Sequence, residues 1–278
     1  GAHVWLGVPF AAAPQGPNRW RAPQPVEPWS EAREAVRHAA PCPQITNALN
    51  AQATGTEPGQ LAGLEDCLYL DVYAPAGADG DSPVMVWIHG GANVWGSAEQ
   101  YDGAQLARDQ DVVVVVLQYR LGPLGFFAHP ALTGEGDPRT AGAANFALLD
   151  QIAALEWVRE NAAAFGGDPQ MVTIFGESAG GHNVAGLLAS PLAAGLFHRA
   201  IIQSGLTDVA SLAEARDGSD MAAAPAARRF TGAEAPTPDD LRAAPVAAVY
   251  DAYRGDDGLR DMPRMIADGV TVPEGGIL

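Results

Sequence analysis

Residues 171–181 read Met-Val-Thr-Ile-Phe-Gly-Glu-Ser-Ala-Gly-Gly, and this stretch restricts the fold more tightly than any other in the chain. The apolar, β-branched run from Val172 to Phe175 predicts a buried strand, and the small residues from Ala179 onward predict a helix start. Between them, Gly176 and Gly180 flank Ser178 with positions that lack a Cβ. A strand that turns this sharply into a helix needs such neighbours, because side chains there would clash with adjoining backbone. The turn lifts the Ser178 hydroxyl above the sheet edge. The helix after it aims its first N–H groups at the same point, where developing negative charge is stabilised. Gly-x-Ser-x-Gly also occurs in ordinary glycine turns. The flanking strand and small-residue helix mark this one as a nucleophile elbow, with Ser178 as nucleophile and Ala179 as an oxyanion N–H donor.

A second segment fits the first. Residues 82–93 read Ser-Pro-Val-Met-Val-Trp-Ile-His-Gly-Gly-Ala-Asn, a hydrophobic strand running into a glycine-rich loop. In the elbow architecture the remaining oxyanion donors come from such a loop after an earlier strand. Gly91 and Ala92 are the candidate donors, and Gly90 lets the backbone approach closely.

The rest of the chain alternates strand and helix. Residues 111–119 are almost continuously apolar, as expected of a strand covered on both faces. Phe146, Leu149, Ile152, Leu155 and Val158 recur at three- and four-residue spacing within 145–164, which predicts an amphipathic helix that stops at Phe165-Gly-Gly-Asp-Pro. Residues 200–203 supply another strand. These alternations specify an α/β fold with a doubly wound, mostly parallel sheet. From about Leu206 the sequence turns to Ala, Asp, Pro and Arg in short, weak helices.

The chain resembles the type-B carboxylesterase/lipase family, the cholinesterase-like branch of the α/β-hydrolases. Matching stretches run in family order. They are Gly7–Ala11, Glu65–Asp71, Val86–Gly91, Tyr119–Gly122, Gly125–Phe127, Asn145–Gln151, Phe165–Pro169, Phe175–Gly181 and Phe197–Ile201. The resemblance implies a serine carboxylic-ester hydrolase with an acyl-enzyme intermediate and a small-molecule ester substrate. It calls for no cofactor and no metal. It also implies one domain over 1–278, in which 206–278 begins the helical cap that shapes the substrate gorge.

Other members order their triad as Ser, acid, His. The segment 267–273 resembles the family stretch just before the acid, so the chain is expected to be incomplete at its C-terminal end, and at its N-terminal end too. The acid and the His are expected beyond Leu278. His182 shares a helical face with Ser178, but its first turn points away from where a base must reach. His89 is expected to brace the oxyanion loop by hydrogen bonding, and His198 lies in a structural stretch. On this reading the 278 residues alone hydrolyse esters poorly. Two other readings share the motifs: a non-catalytic cholinesterase-like recognition module, and a serine hydrolase of amides or thioesters.

The resemblance further implies that Glu177 is buried with Ser204 as its hydrogen-bond partner, the alternative being a solvated carboxylate. Asn93 departs from the family, which usually has an aromatic side chain there. The Gly-Gly-Ala form of the oxyanion loop is associated with bulky alcohol groups. Trp95, Phe126 and Phe127 are candidates either to line the gorge or to fill the core.

Composition excludes some partners. The formal net charge is −17, and all 16 basic residues other than His are Arg. So acidic a surface repels phosphate, which argues against nucleic acid. No apolar run is long enough for a membrane span. The family resemblance implies that Cys42 and Cys67 pair, closing a surface loop from Gln44 to Asp66; two separate buried thiols are the alternative. Such a bond favours an exported protein. Two cysteines without a CxxC or HxxxH do not make a zinc site. Oligomeric state is not legible in the sequence.

Overall fold

A computed structural model describes residues 1–254 and 262–277. Six strands form the central sheet: β1 (Ala2–Pro9), β2 (Tyr69–Pro75), β3 (Ser82–Ile88), β4 (Val113–Leu117), β5 (Gly167–Glu177) and β6 (Arg199–Gln203). Their spatial order is β1-β2-β4-β3-β5-β6. The first two pairings, β1 with β2 and β2 with β4, are antiparallel; β4, β3, β5 and β6 run parallel. The expected doubly wound, mostly parallel sheet is therefore present.

Three helices make the crossovers: α1 (Ala104–Gln110) before β4, α2 (Phe146–Asn161) before β5 and α3 (Ala179–Ala189) before β6. The chain leaves β3 for β4 on one side and later returns to β5 on the other. A sheet that winds in both directions opens a crevice at the carboxyl ends of the strands where the direction changes. Here those ends belong to β3 and β5, with Ile88 opposite Gly176. The loop after β3 and the turn after β5 leave the sheet side by side.

Both faces of β4 are covered. Val113, Val115 and Leu117 join the main core, while Val114 and Val116 pack with Tyr73, Ala98 and Ala107 on the opposite face. β6 is different. It is the sheet edge, and Arg199, Ile201, Ile202 and Gln203 are exposed.

Helix α2 departs in part from the sequence expectation. Its second half is amphipathic, with Leu155 and Val158 buried and Glu156, Arg159 and Glu160 exposed, but residues 146–152 are buried all round. One polar residue of that first half, Asp150, is paired within the core. Asp150 receives the backbone N–H of Arg120 at 2.9 Å and its guanidinium Nε at 2.8 Å, with both side chains fully buried. Amphipathic spacing cannot reveal a carboxylate whose partner lies on another loop.

Cys42 and Cys67 form a disulfide. The enclosed segment lies at the surface over much of its length, with residues 48–49 and 57–60 exposed, but it is anchored inward. Both cysteines belong to the main core, and Gln44, Thr46 and Asn50 are buried. The polar side chains hydrogen-bond inward: Gln44 Nε2 donates to the carbonyls of Cys42 and Gly96, both at 3.0 Å, and Asn50 Nδ2 donates to Gln44 Oε1 at 2.7 Å.

After β6 come the short helices 212–217, 223–231, 238–243 and 246–251. Ala226, Ala227, Leu241, Val249, Tyr250 and Tyr253 join the same core as the sheet. Within the segment expected to begin the cap, residues 255–261 and 278 lie outside the described residues. The return at 266–272 is pinned by buried Asp268, which accepts from the backbone N–H of Ala144 at 2.9 Å and from Asn145 Nδ2 at 3.0 Å.

Two stability changes are expected. Replacing both cysteines by Ser should lower unfolding free energy by about 3 kcal/mol in urea titrations, through the released loop. Arg120→Met should cost more, about 3–5 kcal/mol, by leaving Asp150 charged and unpaired in the core; adding Asp150→Leu should restore much of the loss.

Candidate active site

Ser178 adopts φ 54° and ψ −120°, a conformation rarely taken by residues with a side chain. Such a residue carries about 1–3 kcal/mol of strain and persists only where its surroundings hold it. Here the hold is explicit. The Ser178 N–H donates to the Gln203 carbonyl of β6 at 2.8 Å, and its own carbonyl accepts the His182 N–H at 2.9 Å. Behind it, a Cβ on Gly180 would collide with the Ile88 carbonyl, and one on Gly176 would stand 2.5 Å from the Gly180 carbonyl carbon. The turn leaves Ser178 half-buried at the start of α3. Ala179 is the first residue of that helix. A first-turn N–H has no partner within the helix and points along the positive end of its dipole.

The loop after β3 meets the elbow through main chain. A Cβ on Gly90 would lie 2.8 Å from the Glu177 carbonyl oxygen and 3.3 Å from Ser178 Cβ. Only glycine permits that approach. Gly91, Ala92 and Asn93 then run at φ 100°, 55° and 60°. The turn closes with the Val94 and Trp95 N–H groups on the Gly91 carbonyl at 3.0 and 3.1 Å. Three successive left-handed residues curl the backbone into a concave stretch, the kind of main-chain arrangement that cups an anion. Gly91 is half-buried and Ala92 is exposed.

His89 lies beneath this loop. Its Nδ1 is 2.8 Å from the Gly90 carbonyl, and its ring stacks on Tyr119 with centroids 4.4 Å apart. Since a carbonyl only accepts, Nδ1 carries the proton. Burial pushes the His89 pKa down to about 4, partly offset by that hydrogen bond, so the ring is neutral. The Tyr119 hydroxyl donates to the His89 carbonyl at 2.6 Å. A ring so enclosed supports the loop and is remote from the role of a base.

Three of the other histidines are bonded elsewhere. His198 Nδ1 accepts the Val172 N–H at 3.2 Å, His129 accepts the Ala131 N–H at 3.2 Å, and His38 is 2.7 Å from buried Asp71. His182 is half-buried on α3, with its pKa held below the ordinary value by burial. Among the described residues no histidine is hydrogen-bonded to the Ser178 hydroxyl.

One sequence expectation needs correction, and one left open is decided. Glu177 is exposed, as is Ser204, and among the described residues no hydrogen bond joins them. The reason is local: Glu177 pairs with Gln203 of β6, an edge strand, and among the described residues no strand pairs beyond it. Phe126 and Phe127 are core residues, Phe127 stacking on Trp20 with centroids 4.5 Å apart. Trp95 alone of the three aromatic candidates is half-buried, and its ring atom Cδ2 would lie 3.1 Å from a Cβ on Gly91.

Sequence reasoning overlooked three supporting residues: Tyr119, Asn183 and Gln44. Gln44 Oε1 accepts the Gly96 N–H at 2.9 Å, tying the disulfide segment to the far end of the oxyanion loop. Tyr119 stood within a matched stretch but carried no sign of its partner. Asn183 looked like a polar residue on a helix.

The buried histidine makes stability sensitive to acid. His89 has a folded pKa of about 4 against an ordinary 6.5, so the unfolded chain binds more protons between those values. Stability is then lost as pH falls from 6.5 towards 4, by up to about 3 kcal/mol from this residue. His129 and His182, also lowered by burial, add in the same direction. Melting temperatures across this range should fall less steeply for His89→Gln than for the parent; equal slopes would remove His89 from the account.

Known proteins resemble this chain in sequence and fold. The family model described as the carboxylesterase family matches residues 1–249. Pyrethroid hydrolase Ces2e of Rattus norvegicus is 50% identical over 210 residues, covering 74% of this chain and 36% of the relative. Para-nitrobenzyl esterase of Bacillus subtilis (strain 168) is 49% identical over 207 residues, covering 74% of this chain and 40% of the relative. The chain thus spans well under half the length of these curated relatives. A solved PNB esterase structure superimposes with TM-score 0.84 at 39% identity, covering 100% of this chain and 56% of that one. The sheet is that of an α/β-hydrolase, and the chain belongs to the carboxylesterase family.

Proposed function

We propose that the whole protein hydrolyses small-molecule carboxylic esters through Ser178. The observation that carries this reading is the strained Ser178 turn set directly against the Gly90 backbone. The names of the relatives, a pyrethroid hydrolase and a para-nitrobenzyl esterase, support an ester as substrate.

In the proposed reaction the Ser178 oxygen attacks the ester carbonyl carbon and its proton passes to a histidine. None of the six histidines in residues 1–278 stands in that role, so we assign the base, and the acid that orients it, to residues beyond 278. The carbonyl oxygen becomes an oxyanion and is held by the N–H groups of Gly91, Ala92 and Ala179. Each such donor contributes about 3 kcal/mol to lowering the barrier. The tetrahedral species collapses, the alcohol leaves with a proton from the imidazole, and an acyl-Ser178 ester remains. Water, deprotonated by the same histidine, releases the acid and regenerates the hydroxyl. We further assign residues 206–278 to the start of the cap over this site. Among the described residues no helix is long and apolar enough to cross a membrane.

The test uses the full-length protein with short-chain aryl esters and a fluorophosphonate probe. Turnover and stoichiometric labelling should both be present in the parent and absent from Ser178→Ala. Gly90→Ala should reduce kcat by about 100-fold or more by pushing the loop from the elbow. Undiminished turnover by Ser178→Ala would overturn the proposal.

A further inference from the structure

One buried polar contact joins the two halves of the site. Asn93, at the end of the oxyanion loop, and Asn183, on α3 after Ser178, are 3% and 0% exposed. Their amides bond reciprocally: Asn183 Nδ2 donates to Asn93 Oδ1 at 2.8 Å, and Asn93 Nδ2 donates to Asn183 Oδ1 at 3.1 Å. The Tyr119 hydroxyl approaches Asn93 Oδ1 at 3.3 Å while bonding the His89 carbonyl at 2.6 Å. The main chain at Asn93 is held as well, its carbonyl accepting the Gly122 N–H at 2.7 Å.

We propose that Asn93 and Asn183 are positioning residues for the oxyanion hole, fixing the separation between the Gly91–Ala92 backbone and the Ser178–Ala179 backbone. The inference rests on the reading of Ser178 as nucleophile. Two arguments carry it. First, the loop holds Ala92 and Asn93 consecutively in the left-handed region, which residues with a side chain seldom adopt. A loop under that strain relaxes unless it is anchored, and the reciprocal amide pair anchors it. Asparagine suits the place twice, because it tolerates left-handed backbone better than most residues and supplies both a donor and an acceptor. Second, the anchor's other end is on α3, the helix that bears the Ala179 N–H. The bond therefore spans the gap across which the oxyanion is held. A shift of about 1 Å between donors and nucleophile is enough to cost 100-fold in rate. Neither amide touches the reacting atoms, so both act through the backbone they fix.

The experiment compares Asn183→Ala, Asn93→Gly and the double variant in the full-length protein. Asn93→Gly keeps the left-handed backbone accessible while removing the amide, which separates the clamp from the conformational preference. Each single variant should lower kcat by about 10- to 100-fold with KM changed less than about twofold, and the double variant should fall no lower than the worse single one. Hydrogen exchange should quicken at residues 90–95 in all three and stay at parental rates in β3 and β5. Parental exchange at 90–95, or rate losses that multiply in the double variant, would overturn the clamp. If the parent's ester turnover proves independent of Ser178, the proposed function fails, and the exchange of 90–95 alone decides the clamp. If Asn183→Ala does not fold, Asn93→Gly decides it by the same two readings.

Discussion

The contact between Gly180 and the Ile88 carbonyl governs everything around it. Helix α3 starts within the crevice where β3 and β5 end side by side, and it fits only because its second residue has no side chain. That closeness forces β5 to turn sharply at Ser178, which explains the strained φ of a residue that is not glycine. It also leaves the loop after β3 no course except across the elbow, so Gly90 too must lack a Cβ. One steric condition at the junction of two strands thus dictates two glycines and one strained serine.

Around this backbone junction the protein places buried polar groups in pairs. His89 with Tyr119 lies under the loop, Asn93 with Asn183 spans it, and Gln44 holds its far end through Gly96. Each pair satisfies donors and acceptors that would otherwise be costly inside the protein. Gln44 also connects the candidate site to the Cys42–Cys67 bond two residues away, and both cysteines lie in the core beneath the crevice. The Arg120–Asp150 pair fastens the end of β4 to α2 in the same manner.

Much of this was legible in the sequence, and the reason is steric. Where a fold demands missing side chains, as at Gly90, Gly176 and Gly180, few residues are admissible and the demand is written plainly. Hydrophobic runs marked β3, β4 and β5 for the same reason, since a strand covered on both faces admits little else. The polar supports were not legible. Asp150 and Gln151 interrupt no spacing rule, and Asn183 resembles any helical surface residue until the loop across from it is known. Glu177 was misread because its burial depends on what lies beyond β6, a matter of sheet position that local sequence does not encode. The two phenylalanines left open between gorge and core went to the core, where Trp20 stacks against one of them.

The candidate donors at Gly91, Ala92 and Ala179 are all peptide N–H groups, presented by backbone whose course is set by collisions. Substitution of the residues that face a substrate leaves such groups in place. On the proposed reading, chemistry and selectivity are thereby stored in separate materials. Side chains facing the crevice are open to combinatorial libraries, whereas the peptide framework from Gly90 to Asn93 belongs outside them.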